Sequence, residues 1–326
     1  MKKRYVFLAV ALILILILFA DVLGIGGGKS EIPIKIADGA GSSVIAKDLE
    51  NAGIIDNATM FKIYAKITGE PLYQKGVHIL NSSMSFGKII KTLESAPHRE
   101  EHKILIPEGY ELYKIADVLE ERDLINRDVF MREAQTGDFD YSFIKDIPER
   151  ENRLEGYLYP DTYIFTSDMT EREIIDTMLK NFEKKVISEY QQSYTDKSLD
   201  EIITLASIIE REAANDEERG KVASVFVNRL NKGMRLESCA TVQYVLGERK
   251  SVLTNADTQI DSPYNTYKNS GLPIGPIASP GLKSIQAALY PENTEYLYFL
   301  AGEDLTHSLF ATTFEEHLRN QQNIKR

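Results

Sequence analysis

The chain has a single cysteine, Cys239, in 326 residues. That excludes a disulfide framework and any cysteine-built zinc site. Histidine is scarce as well: His78, His98, His102, His307 and His317 form no HExxH pair. His98 and His102 have i, i+4 spacing but follow Pro97 in a charged loop with no third ligand, so neither a metal nor a cofactor is expected. There is no G-x-S-x-G element, and Cys239 has no persuasive histidine partner in sequence. Gly26-Gly27-Gly28-Lys29-Ser30 resembles the tail of a phosphate loop, but Leu23 stands where that motif needs its first glycine. Positive charge is also short, 38 Lys+Arg against 49 Asp+Glu, which argues against nucleic acid as a partner. What is present, 43% apolar and 27% charged residues, suits a folded chain of about two domains.

Lys2, Lys3 and Arg4 precede an unbroken apolar run from Tyr5 to Ala20. As a helix, residues 5–25 would span about 31 Å, close to the hydrocarbon thickness of a bilayer. The basic flank stays in the cytoplasm, so a single-pass anchor with everything after residue 25 outside is expected. A cleaved signal peptide is the alternative.

An internal repeat follows. Ile36-Ala37-Asp38-Gly39 leads to Ile45-Ala46-Lys47-Asp48-Leu49, and Ile106-Pro107-Glu108-Gly109 leads to Ile115-Ala116-Asp117-Val118-Leu119. Each copy reads as strand, glycine turn and amphipathic helix, with a second helix near Asn57 or Asn126. Residues 76–80 read as a returning strand and Ser85–Leu93 as a helix. Later periodic stretches predict helices over Glu171–Glu189, Leu199–Asn215, Glu217–Asn231, Ser284–Leu289 and Thr313–Gln321, with a strand over Tyr296–Ala301. Helices and a few strands without βαβ alternation predict an α+β region. Residues 250–281 are long, irregular and rich in Gly and Pro, and are expected to face substrate.

On the helix beginning at Leu199, Leu199, Ile202, Ile203, Ala206, Ile209 and Ala213 share one arc. Glu210 lies at its edge, and Glu212 about 200° from Glu210 at about 100° per residue. A carboxyl bordering an apolar stripe has its pKa raised by desolvation, which suits a general acid. An ordinary rim glutamate paired with Arg219 or Arg229 fits the same geometry. Tyr244, Tyr264, Tyr267, Tyr290, Tyr296 and Tyr298 offer faces for sugar rings or for a core.

The motifs that follow one another along the chain include Ile106-Pro107-Glu108-Gly109, Leu154-Glu155-Gly156-Tyr157-Leu158-Tyr159-Pro160-Asp161-Thr162-Tyr163 and Ala206-Ser207-Ile208-Ile209-Glu210-Arg211-Glu212. Val225-Phe226-Val227-Asn228-Arg229-Leu230, Gly233-Met234-Arg235-Leu236, Ser262-Pro263-Tyr264-Asn265-Thr266-Tyr267 and Gly271-Leu272-Pro273-Ile274-Gly275-Pro276-Ile277 come after them. In this order they resemble the endolytic murein transglycosylase family, also called YceG-like. The resemblance implies a membrane-anchored enzyme with a LysM-like module, acting on peptidoglycan glycan strands beside penicillin-binding glycan synthases. It implies Glu210 as the catalytic residue, with Asn228, Arg229, Glu237, Thr241, Tyr244, Tyr264, Asn265, Thr266 and Tyr267 binding substrate. One departure stands out. Many members have Gln and Asp where this chain has Glu237 and Cys239.

The expected organisation is then a cytoplasmic tail (1–4), a transmembrane helix (5–25), a linker (26–31), a LysM-like α/β module (32–97), a second α/β repeat with its connection (98–165) and a mixed α+β catalytic domain (166–326). The expected activity is lytic cleavage of the MurNAc–GlcNAc bond of nascent strands, leaving 1,6-anhydro ends and stopping elongation. A two-carboxylate muramidase and a non-catalytic wall-binding anchor are the alternatives.

Overall fold

The computed structural model describes residues 21–37, 39–97, 100–250 and 252–324. The tail, most of the expected membrane helix, Asp38 and His98 lie outside the described residues. Among the described residues no helix is long and apolar enough to cross a membrane. The chain divides into two units, up to Glu100 and from Glu101 onward, each with its own apolar core.

The first unit runs β1 (Ile32–Ile36), α1 (Ser42–Asn51), α2 (Ala58–Thr68), β2 (Gly76–Leu80) and α3 (Phe86–Glu94), with β1 and β2 antiparallel. Period-2 burial of Ile34 and Ile36 and helical burial of Ile45, Ala46 and Leu49 place one face of each element on a shared core. Asn57 and Ser85 cap α2 and α3 by accepting from Met60 N and Lys88 N. Residues expected as a free linker are tied down, with Gly28 N donating to Ser82 Oγ at 2.9 Å.

In the second unit, β3 (Glu101–Leu105), α4 (Leu112–Glu120) and α5 (Arg127–Thr136) repeat that order, and β4 (Thr162–Thr166) returns antiparallel to β3. No strand was expected at β4, because its aromatic residues read only as part of a motif. The chain continues through α6 (Glu171–Phe182), a π-turn at Glu183–Ile187 and a last turn to Gln192. Helices α7 (Leu199–Glu212), α8 (Arg219–Asn231), α9 (Cys239–Leu246) and α10 (Leu282–Leu289) follow, then the hairpin β5 (Tyr298–Ala301) and β6 (Ser308–Ala311), and α11 (Phe314–Asn323). One continuous core joins the repeat to these helices, so the division expected at residue 165 falls inside the unit.

Helix α7 is the axis of this core. Its eight residues from Ile202 to Ile209 are all buried, and it packs along α10. A capping box at Ser198 and Glu201 fixes its start, and the extended Ala213 ends it three residues earlier than its periodicity suggests. The Gly- and Pro-rich segment is pinned to α7 rather than spread over a cleft. Arg150, 1% exposed, holds Asp200 through two 2.7 Å bonds and donates to Ile274 O at 3.1 Å. Ser207 Oγ accepts from Ile277 N at 3.0 Å. Two glycines are required here: a Cβ on Gly275 would lie 2.5 Å from Arg150 Nε, and one on Gly156 (φ +84°) would lie 2.6 Å from Pro276.

Glu155 is buried behind α4, accepting from Leu112 N at 3.0 Å and from Tyr244 OH at 3.2 Å. Burial, opposed by those bonds, pushes its pKa up to about 8. The folded state therefore binds this proton more tightly than the unfolded chain does. The stabilisation is complete below the ordinary carboxyl pKa and lost as pH rises through about 8. Thermal unfolding from pH 5 to pH 8.5 should show wild type losing up to about 4 kcal/mol relative to Glu155→Gln. A pH-independent difference would mean that Glu155 is ionised in the fold.

Candidate active site

Two glutamates leave the last turn of α7 on opposite sides, and each caps the N-terminus of another helix. Neither capped helix has a side-chain cap of its own at its first position. Glu210 reaches α10, where its Oε2 accepts from Gly281 N at 3.0 Å and from Ser284 Oγ at 2.9 Å. Glu212 reaches α9, where its Oε1 accepts from Ser238 Oγ at 2.5 Å and from Ala240 N at 3.0 Å. Helix N-termini favour a carboxylate in both places.

The two sides differ in what remains free. Glu210 Oε1 pairs with Arg219 Nη1 at 3.1 Å, and its side chain is 7% exposed. Arg219 in turn bonds Ser284 Oγ and pairs with Asp216, which also pairs with Lys283. Both Glu210 oxygens are thus spent on a charged brace between α7, α8 and α10, the pairing with Arg219 that helix geometry alone allowed. Glu108 stands beside this brace; burial and then the Glu210 charge raise its pKa.

Glu212 instead lines a cavity of about 390 Å³, with Arg229, Glu237, Ser238, Cys239, Tyr267, Tyr298 and His317 among its walls. That volume is within the usual range for a small-ligand site. The bonds from Ser238 Oγ and Ala240 N both fall on Oε1. Burial pushes its carboxyl up, against the pull of Ser238 and the α9 amides. Glu210 is not among the cavity's lining residues.

Of the substrate-binding residues expected from sequence, the cavity gathers Arg229, Glu237 and Tyr267. Arg229 Nε bonds Leu297 O at 2.7 Å, while Nη1 bonds Arg235 O and Leu236 O at 3.0 Å and Glu237 Oε2 at 3.1 Å. Its guanidinium lies 5.0 Å from the Tyr298 ring centroid. Glu237 is half-exposed and has φ +50°. Tyr267 OH meets Cys239 Sγ at 3.1 Å.

The other six are not among the cavity's lining residues. Asn228 Nδ2 holds the carbonyls of Thr294 and Tyr296 ahead of β5. Thr241 and Thr266 are buried and bonded to each other at 2.9 Å, and Thr266 Oγ1 accepts from Ser238 N. Asn265 Nδ2 closes its own loop onto Thr258 O and Ile260 O. Tyr244 and Tyr264 pack ring to ring at 4.9 Å, and Tyr244 is committed to Glu155. Of the described residues in the segment expected to face substrate, only Tyr267 lines the cavity.

Sequence reasoning passed over Glu212, Ser238, Cys239 and His317. The available signal for Glu212 was its place in the last turn of the helix, just past the buried run Ile202–Ile209.

The profile of the YceG-like family matches residues 34–323. The chain is 35% identical over 301 residues to the endolytic murein transglycosylase of Bacillus subtilis strain 168, covering 89% of this chain and 83% of that protein. It is 32% identical over 320 residues to the endolytic murein transglycosylase of Streptococcus pneumoniae D39, covering 90% of this chain and 58% of that longer protein. The crystal structure of a YceG-like protein from Listeria monocytogenes is similar, with a TM-score of 0.61 at 38% identity, covering 90% of this chain and 99% of that one. With a family match over most of its length and a relative at this identity, the chain belongs to the YceG-like family.

Proposed function

We propose that the protein is an endolytic peptidoglycan transglycosylase and that Glu212, rather than Glu210, is its single acid and base. The activity is supported by the similarity to the Bacillus subtilis enzyme, and the residue by one observation. Of the two carboxyls at the end of α7, Glu212 lines the cavity, and its bonds from Ser238 Oγ and Ala240 N both fall on Oε1. Its raised pKa favours the protonated form that a general acid needs.

Protonated Glu212 donates to the glycosidic oxygen as the C1–O bond of MurNAc breaks and C1 gains oxocarbenium character. The ionised carboxylate then takes the proton of the C6 hydroxyl on the same sugar, whose oxygen closes onto C1. The products are a free 4-hydroxyl on GlcNAc and a 1,6-anhydro MurNAc end, with Glu212 protonated again and no water consumed. Glu237, the other carboxylate of the cavity, is paired with Arg229, which suits a binding role better than activation of a water. Because the acid must be protonated, the rate falls as pH rises through the raised pKa of Glu212.

Glu212→Gln should lower turnover on purified glycan strands by at least about 10²-fold. Glu210→Gln should stay within about tenfold while losing about 1–3 kcal/mol of stability from its ion-paired brace. In ¹⁸O water the wild-type products should carry unlabelled anhydro ends. Labelled reducing ends would make the enzyme a hydrolase, and an inactive but folded Glu210→Gln beside an active Glu212→Gln would move the chemistry to the other face.

The finer biology rests on the sequence. The basic flank and apolar run of residues 2–25 support a single-pass anchor with the enzyme outside the cytoplasm, cutting new strands beside penicillin-binding synthases. External protease on spheroplasts should digest nearly the whole chain; a protected C-terminus would contradict this orientation. The strand–helix–helix–strand order of residues 32–80 supports a LysM-like glycan-binding module. Deleting residues 32–97 should weaken binding to sacculi while leaving cleavage of soluble strands intact. Undiminished sacculus binding would give the module another task.

A further inference from the structure

Helix α11 brings His317 to the wall of the Glu212 cavity. The imidazole is inclined 30° to the ring of Tyr298, 5.4 Å between centroids, and lies 6.2 Å from that of Phe314. The Arg229 guanidinium lies over the same Tyr298 ring. Nδ1 of His317 is buried and has no hydrogen-bond partner among the described residues, whereas Nε2 is not sealed off in this way.

Those facts select a tautomer. A neutral imidazole has one N–H and one bare lone pair. A buried N–H with no acceptor is the rarer and costlier orphan, so the bare lone pair falls on Nδ1 and the proton on Nε2. Burial, with the charge of Arg229 adding to it, holds the ring below its ordinary pKa and hence neutral. The cavity therefore has on its wall a neutral N–H donor whose ring makes no polar contact with the protein.

We propose that His317 Nε2–H donates to the acetamido carbonyl of the N-acetylhexosamine bound beside Glu212. An amide oxygen is an acceptor only, which matches a group that is a donor only on its open side. Val225, Phe226, Leu236 and Phe299 on the same walls supply an apolar seat for the acetamido methyl. The inference rests on the cavity being the glycan site, and it adds recognition of the N-acetyl group by a residue outside the acid–base step.

The test is a cycle of protein variant against substrate. His317→Phe keeps a ring against Tyr298 and Phe314 but has no donor, and His317→Gln places an amide N–H near the position of Nε2. On N-acetylated strands, kcat/KM should fall about tenfold in His317→Phe and recover in His317→Gln, with Tm nearly unchanged in both. On strands whose acetamides have been converted to amines, wild type should fall by a similar factor, and His317→Phe should lose nothing further. Equal sensitivity of wild type and His317→Phe to deacetylation would overturn the proposal, as would full activity of His317→Phe on acetylated strands. ¹⁵N spectra of the free protein should show the proton on Nε2, and a proton on Nδ1 would overturn it too. Loss of the cavity as the site would register separately, as activity surviving in Glu212→Gln.

Discussion

The second unit depends on a helix with almost no wet side. Burial of every residue from Ile202 to Ile209 commits the middle of α7 to the core all round, so its charged groups emerge only at its two ends. At the last turn Glu210 and Glu212, nearly opposite on the helix, each supply the missing cap of another helix. The packing of α7 thus fixes the positions of α9 and α10 together, and the stretch before α9 and the N-terminus of α9 form part of the cavity wall.

The two caps have been put to different uses by what surrounds them. Around Glu210 the neighbours are cationic, and Arg219 and Lys283 with Asp216 turn the carboxylate into one member of a closed network. Breaking one partner of such a buried pair leaves a charge without compensation, so the arrangement is a brace rather than a reagent. Around Glu212 a serine hydroxyl and a backbone amide hold one oxygen, and the charge of Arg211 acts on the carboxyl more weakly than burial does. Desolvation outweighs these and raises its pKa. Glu210 is tied into this ion-pair network, while Glu212 lines the cavity.

Much of this was legible in the sequence. Asn57, Ser85, Asn126 and Ser198 announce helix starts through caps that the structure uses, and the glycine turns of the repeat separate strand from helix in both copies. Helix α9 was hidden because Ser238, its capping residue, gives its hydroxyl to Glu212 instead of to the helix. Strand β4 was hidden because its partner β3 lies about 60 residues earlier, a pairing no local pattern encodes. The wheel that favoured Glu210 over Glu212 assumes one buried and one solvated face, and α7 is buried all round from Ile202 to Ile209. The motifs named Arg229, Glu237 and Tyr267, which line the cavity, but also Asn265 and Thr266, which shape the loop behind its wall. Motif membership does not distinguish a side chain that touches ligand from one that holds the wall in place.

The central claim is that glycan is cut on the Glu212 face of α7. A crystal structure of the Glu212→Gln variant with a bound MurNAc–GlcNAc oligomer tests it most directly. The account predicts the scissile oxygen within hydrogen-bond distance of the side chain at position 212, with the sugars between Tyr267, Arg229 and Tyr298. An oligomer lying instead against Glu210, Arg219 and Ser284 would contradict it.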